Sequence, residues 1–368
     1  MKPLAEIRDH PATAEDTPDR VVMARPLSGR LWWVLPPVAA LFYPLAVRAL
    51  YDSGKMLHRA SGPDNVIAWL AITVSAALVY GVPAAGIAVA YGLGRHERTS
   101  SAELLGRRLA HLAVAGPSLF VLIGVVFYLL HSRSDAAFWS IFWLAIVGLA
   151  SWNILRKNTE ALACSRPNSI PLRMAHGTSA LLIVTAFLAW HLLNHASAAF
   201  SAGFNQSTMV MLRKWYRSEF VQPILVCLML FQVASGFVLL RRATALQSDL
   251  YRTLQTSTGA FLTAFIVSHL NAVFILGRAV TKVDTTFLWA SGAPVGLLSD
   301  AWNVRLIPHY SLGVWFVITH MGLGLRGVLL AHRVSLPAAN RMAWAVSALG
   351  AVFALTITVA QLKVHGAS

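Results

Sequence analysis

The chain has 368 residues, of which 57% are hydrophobic and 12% charged, with a mean hydropathy of +0.61. Those values exclude an ordinary soluble domain. The net charge is +15, but the basic residues are spread through segments between apolar stretches. That pattern fits a membrane topology signal and counts against nucleic-acid binding.

Residues 1–28 are polar, hold five Asp or Glu, and lack the basic–apolar–small pattern of a signal peptide; they read as a flexible tail. Nine apolar stretches come next, at about 31–50, 67–92, 109–131, 136–156, 175–196, 222–241, 256–278, 310–331 and 340–361. Each is long enough to cross a hydrocarbon core of roughly 30 Å. The expected fold is an all-α integral membrane protein of about nine transmembrane helices in an antiparallel up-and-down bundle. Pro36, Pro37 and Pro44 interrupt the first stretch; proline is tolerated there when neighbouring groups satisfy the freed carbonyls. A four-helix half, 29–158, precedes a five-helix half, 159–368. The boundary is the loop with Arg156, Lys157, Asn158, Cys164, Pro167 and Asn168.

Arg107-Arg108-Leu-Ala-His111 resembles Arg173-Met-Ala-His176. The first half therefore reads either as a distant copy of the second without its ligands or as a chance likeness between apolar helices. With the N-terminus cytoplasmic, 18 of the 30 Lys and Arg fall inside and 10 outside. This predicts N-in, C-out, in a bacterial inner membrane. Two longer loops, 197–221 and 279–309, then lie outside. Met209 to Tyr216 suits a short helix along the interface, and the loop with Asp284, Gly292, Pro294 and Asp300 is placed to cap a pocket. Cys164 and Cys227 form neither a CxxC nor a CxxCH pattern. A disulfide framework, an iron–sulfur cluster and covalently attached haem are therefore not expected.

Within the second half the histidines carry the chemistry. His191 lies roughly 24 Å along its helix and His269 roughly 20 Å along its own, at 1.5 Å per residue. Both fall in the outer third of the bilayer, where a polar side chain is costly and by default functional. Each has a serine twelve residues earlier, Ser179 and Ser257. Two imidazoles at matched depth form an axial-ligand pair for a haem iron. Ser179, Ser257 and Gly259 would let a porphyrin lie close to the backbones. The bland alternative is that each imidazole bonds a carbonyl of a neighbouring helix.

His195, one turn beyond His191, reads as a partner for a propionate or water. Arg173 and His176, at the inner start of the same helix, suit a quinone head, a lipid phosphate or a partner protein, or simply anchor the helix. His320 faces the level of Gln232, a poor iron ligand. A hydrogen bond between them, or a quinone-facing His320, is therefore expected there, with iron ligation by His320 the alternative. His111, His131, His58, His96, His10, His332 and His365 read as interface or solvated histidines. No nucleophile–base set, carboxylate pair or phosphate loop is evident, so self-contained catalysis is not expected.

Two segments carry a family resemblance: Arg173-x-x-His176 with His191 and Asn194, and Leu254-Gln255 with Gly259 and Ser268-His269. Over roughly 170–361 the chain resembles the di-haem cytochrome b membrane anchor of succinate dehydrogenases and fumarate reductases, the single-chain five-helix type. A similar fold anchors some redox-regulated adenylate cyclases. The resemblance implies one histidine from each of four helices, the first paired with the third and the second with the fourth. His191 then pairs with His269 around an outer haem, His320 matches the fourth ligand, and Gln232 stands at the second position. It also implies electron exchange with a quinone and with a cytoplasmic or membrane redox partner. The departure at Gln232 and the four additional helices imply a relative holding one haem b rather than two. Two function classes emerge: a quinone-linked electron carrier or redox sensor, and a non-enzymatic membrane scaffold that keeps the fold with structural haem or none. A proton-coupled carrier is disfavoured, because no acidic residue falls within the last five apolar stretches.

Overall fold

The computed structural model describes residues 30–96, 100–155 and 169–363. The N-terminal tail and the 156–168 part of the boundary loop, with Cys164, lie outside the described residues. Among the described residues the secondary structure is helical, without strands. The helices are α1 (Leu31–Leu41), α2 (Tyr43–Arg59), α3 (Asp64–Gly94), α4 (Ser101–Val114), α5 (Gly116–Leu129), α6 (Asp135–Leu155), α7 (Ile170–Ser197), α8 (Ala202–Tyr216), α9 (Val221–Thr244), α10 (Leu250–Val280), α11 (Asn303–Ala331) and α12 (Leu336–Lys363). Seven of them are long and apolar enough to cross a membrane, or up to nine spans if each bent pair counts as one. The surface of these helices is apolar: Val66, Ile67, Trp69 and Leu70 of α3 and Leu349, Val352 and Leu355 of α12 are exposed. A bundle whose apolar side chains face outward is an integral membrane protein in contact with lipid.

Two expected single helices are bent pairs. The first bends by 49° between α1 and α2, and the third by 64° between α4 and α5. Pro44 and Pro117 sit in the first turns of α2 and α5. A proline has no N–H to continue the preceding helix, so the chain turns there. The third helix also starts eight residues earlier than its apolar stretch, because Ser100 and Glu103 form a reciprocal capping box. A helix is present in the 197–221 loop, as α8.

The two halves of the chain share a core. Tyr43, Phe120, Trp139 and Trp143 pack with Val304, Leu306 and Ile307 of α11. Trp139 donates its indole N–H to Ala40 O at 2.8 Å. Arg107 of α4 is 1% exposed and donates to Thr244 O at 2.8 Å and Leu246 O at 2.6 Å. Those carbonyls belong to the C-terminal end of α9, where the helix dipole favours a cation. α11 and α12 meet along a stripe of small buried residues, Ala339, Ala343, Ser347, Gly350 and Ala354, with Thr319 and Ser347 hydroxyls 3.0 Å apart. Small residues at this spacing allow membrane helices to approach closely.

α7 is different. Only 6% of its most apolar window is buried, against 28% for α10 and for α11. It runs beside α9, and its Ser197 end meets α8 and α12. Its histidines face α10 and α11.

Candidate functional site

At the Ser197 end of α7, three imidazoles converge. The ring centres of His191 and His269 are 6.3 Å apart, with planes at 69°, and His195 stands 4.6 Å from His191. None of the three makes a hydrogen bond within the described residues, although all are half-buried within membrane-spanning helices. A polar ring left without a partner at that depth is costly. Aromatic residues wall the cluster. Phe187 stacks on His191 at 4.8 Å, Tyr216 of α8 lies edge-on to Phe187 at 5.1 Å, Phe265 stacks on His269 at 5.6 Å, and Phe287 covers His195 at 5.7 Å.

Local helix geometry aims these rings. Val184–Leu188 is a π turn between His176 and His191, and Asn271–Val280 is a π segment just after His269. A π turn holds about one more residue than an α turn, so it rotates the next stretch of helix by roughly 100° about the axis. The loosened carbonyls have partners: Trp190 and Trp215 donate indole N–H groups to Thr185 O and Ala186 O, each at 3.1 Å. Beyond this end of the helices, Arg213 and Arg217 pair with Asp284. Partial burial, with the charges of Arg213 and Arg278, holds the Arg217 guanidinium below its usual pKa.

At the opposite end of α7, His176 and His320 lie 6.4 Å apart, with planes at 76°. His176 Nδ1 is 2.8 Å from Ser235 Oγ. His320 Nδ1 is 3.1 Å from Gln255 O and 3.1 Å from Thr258 Oγ1.

The geometry corrects the expectations for Gln232, Ser257, Gly259 and His111, and also places His309 and Arg173. Gln232 does not oppose His320. Its Nε2 donates to His176 O at 2.8 Å and to Ser179 Oγ, so it ties α9 to the α7 backbone and occupies Ser179 as well. Ser257 is fully buried and bonds His111 Nδ1 at 3.1 Å. Twelve residues make about 3.3 helical turns, a third of a turn past a whole number, so Ser257 and His269 point to different faces. Gly259 lies beside His320 rather than His269: a Cβ there would meet His320 Cε1 at 3.1 Å. His111 is 1% exposed, a core residue and not an interface histidine. His309 turns to Ser118 of α5, its Nδ1 3.1 Å from Oγ. Arg173 is exposed, and its guanidinium makes no hydrogen bond or ion pair among the described residues.

No group of three His, Cys, Asp or Glu suited to a bare metal ion occurs among the described residues. What the structure offers is pairs. Two imidazoles binding opposite sides of one iron, each through a bond of about 2 Å, bring their ring centres roughly 6 Å apart. Both pairs meet that separation. Comparison of the chain with protein-family models, with curated proteins and with solved structures found no match.

Proposed function

We propose that this chain is an integral membrane b-type cytochrome that holds a haem between His191 and His269, near the outer face, and exchanges single electrons or registers redox state in connection with the quinone pool. One observation carries the proposal. His191 and His269 face each other 6.3 Å apart across two membrane-spanning helices, and neither ring makes a hydrogen bond among the described residues. The likeness to the di-haem cytochrome b anchors, through His191 and the Ser268-His269 segment, supports the same assignment.

The donor set fits the group. Haem so held supplies a reversible one-electron iron couple with no open coordination site. His191 and His269 would hold the iron. Phe187 and Phe265 hold the ligand rings in orientation by stacking. Phe287 packs against His195 at the Ser197 end, and apolar surroundings favour the less charged state of a bound centre. Among the described residues the cluster contains no nucleophile or carboxylate to carry group-transfer chemistry.

The test is the full-length protein purified in detergent, its haem quantified against protein, with His191→Ala and His269→Ala alongside. Each variant is expected to lose one haem equivalent, and quinol is expected to reduce the wild type. Full haem retention in both variants would overturn the ligand assignment. Haem that no quinol reduces would overturn the link to quinone.

A further inference from the structure

We infer that Arg217 and Arg278 hold the phosphate of an anionic phospholipid at the membrane surface, on the side of the Ser197 end of α7. The inference does not depend on whether a haem is bound.

Charge comes first. In residues 209–222 and 274–286 the basic side chains are Arg213, Lys214, Arg217, Arg278 and Lys282, and the acids are Glu219 and Asp284. With the N-terminus cytoplasmic, this surface faces outward, where the topology signal disfavours Lys and Arg. Topology therefore does not account for the cations. Asp284 is committed to Arg213, which donates to its two carboxylate oxygens at 2.7 and 3.0 Å and to Thr285 O at 2.9 Å. Arg217 stands 3.9 Å from Asp284 Oδ1, beyond hydrogen-bond reach, and donates to Thr285 Oγ1 at 3.0 Å. Arg278 donates to the neutral Gln222 Oε1 at 2.9 Å and lies 5.1 Å from the centre of the Phe274 ring. A guanidinium carries five donors, so most of those on Arg217 and Arg278 have no protein acceptor among the described residues. Both side chains are half-buried, and the charge of Arg278 helps to hold the Arg217 pKa down. Like charges gathered under partial burial favour a bound anion.

Level comes second. Arg217 stands four residues before the start of α9 at Val221, and Arg278 two before the end of α10 at Val280. Both therefore lie where membrane spans meet the headgroup layer. The planar fork of arginine matches a phosphate, with two parallel N–H donors to two oxygens.

Surroundings come third. Phe220 and Ile224, next to Arg217 in the chain, and Ile275 and Val280, next to Arg278, are exposed. Only 11% of the most apolar window of α9 is buried, so an apolar surface continues from the two arginines along that helix. A free phosphate ion would use the cations alone; a phospholipid uses the cations and the apolar surface together. A zwitterionic headgroup would bring its own cation against Lys214 and Lys282, so the surplus of charge selects an anionic one.

The experiment titrates full-length protein in detergent with phosphatidylglycerol, and separately with phosphatidylcholine and with inorganic phosphate. Bound lipid is counted by native mass spectrometry, and Tm and the haem-to-protein ratio are followed on the same samples. Phosphatidylglycerol is expected to bind in preference to phosphatidylcholine and to raise Tm by mass action, while inorganic phosphate does neither. Arg217→Gln with Arg278→Gln is expected to weaken phosphatidylglycerol binding roughly tenfold, the loss of a charge-assisted hydrogen bond, at unchanged haem content. Arg59→Gln, an exposed position on α2, is expected to bind as the wild type does. If the double glutamine variant does not fold, Arg217→Lys with Arg278→Lys decides: it keeps the charge but loses the fork, and weaker binding is expected. Equal binding of the two lipids by the wild type, or undiminished binding in the lysine variant, would overturn the inference. A rise in Tm with inorganic phosphate as large as that with lipid would assign the site to a soluble anion and overturn it as well. Loss of haem with unchanged lipid binding in the glutamine variant would assign the arginines to the haem propionates, again against the inference.

Discussion

Gln232 shows what a linear reading of side chains misses. From its depth and type it reads as the group opposite His320, a ligand position filled by a non-ligand. In the structure it bonds His176 O and Ser179 Oγ on α7, and His320 faces His176 instead. That pairing joins residues 144 positions apart, so it depends on which helices become neighbours. Hydropathy and spacing do not encode that order. The His191–His269 pair was legible, because two histidines at matched depth in apolar stretches stand out. The second pair had no such signal: in the apolar stretch 175–196 His176 stands at the very start, where a histidine reads as an interface anchor. Gln232→Leu is expected to lower stability by roughly 0.6–1.7 kcal/mol, the range for a hydrogen bond between membrane helices. A thermal melt in detergent would read that as a fall in Tm with haem content unchanged. Loss of haem in that variant would instead place Gln232 in the binding site.

At the scale of elements, the apolar stretches located the spans but not their bends or edges. The α4 start, Ser101 to His111, carries Arg107 and Arg108 and is too polar for a hydropathy window, although its capping box was readable. The π turn at Val184–Leu188 has no compositional signature; a residue distant in sequence, Trp215, bonds one of its carbonyls, Ala186 O. Its purpose can be tested by deleting Ala186. Removing one residue restores an α turn and swings His191 by roughly 100°. The His191–His269 haem is expected to be lost, while circular dichroism stays helical and His176 keeps its place; an unchanged haem spectrum would show that the turn does not aim the ligand. On α11 and α12, Gly322→Leu forces a side chain into Val346, whose Cγ1 lies 2.8 Å from the position of the first added carbon. Such overpacking costs about 1–3 kcal/mol, visible as a lower Tm. An unaltered Tm would mean that the two helices separate freely.

At the scale of the whole molecule, the two halves of the chain are joined through polar groups that composition did not disclose. Arg107 rests on the carbonyls at the end of α9, His111 on Ser257, and Arg305 on Asp135. These contacts fasten the N-terminal helices to α9, α10 and α11, the helices around the two histidine pairs. Arg107→Met would strand the Thr244 and Leu246 carbonyls and the Ser248 hydroxyl. Hydrogen bonds to a charged group contribute roughly 1.5–3 kcal/mol, so the variant is expected to melt several degrees lower, with haem per folded molecule unchanged. A selective loss of haem without a change in Tm would mean that Arg107 serves the cofactor rather than the fold. The membrane class, the helical fold and the first histidine pair were thus open to sequence reasoning, whereas the ties between halves needed the packing itself.

The most direct test of the central claim is a dithionite-reduced minus oxidised visible spectrum of the purified wild-type protein, with haem and protein quantified on the same sample. Low-spin b-type bands, with at least one haem per chain, are expected from the His191–His269 pair. A protein expressed with ample haem that shows no such bands would contradict the cytochrome reading and leave a haem-free membrane scaffold.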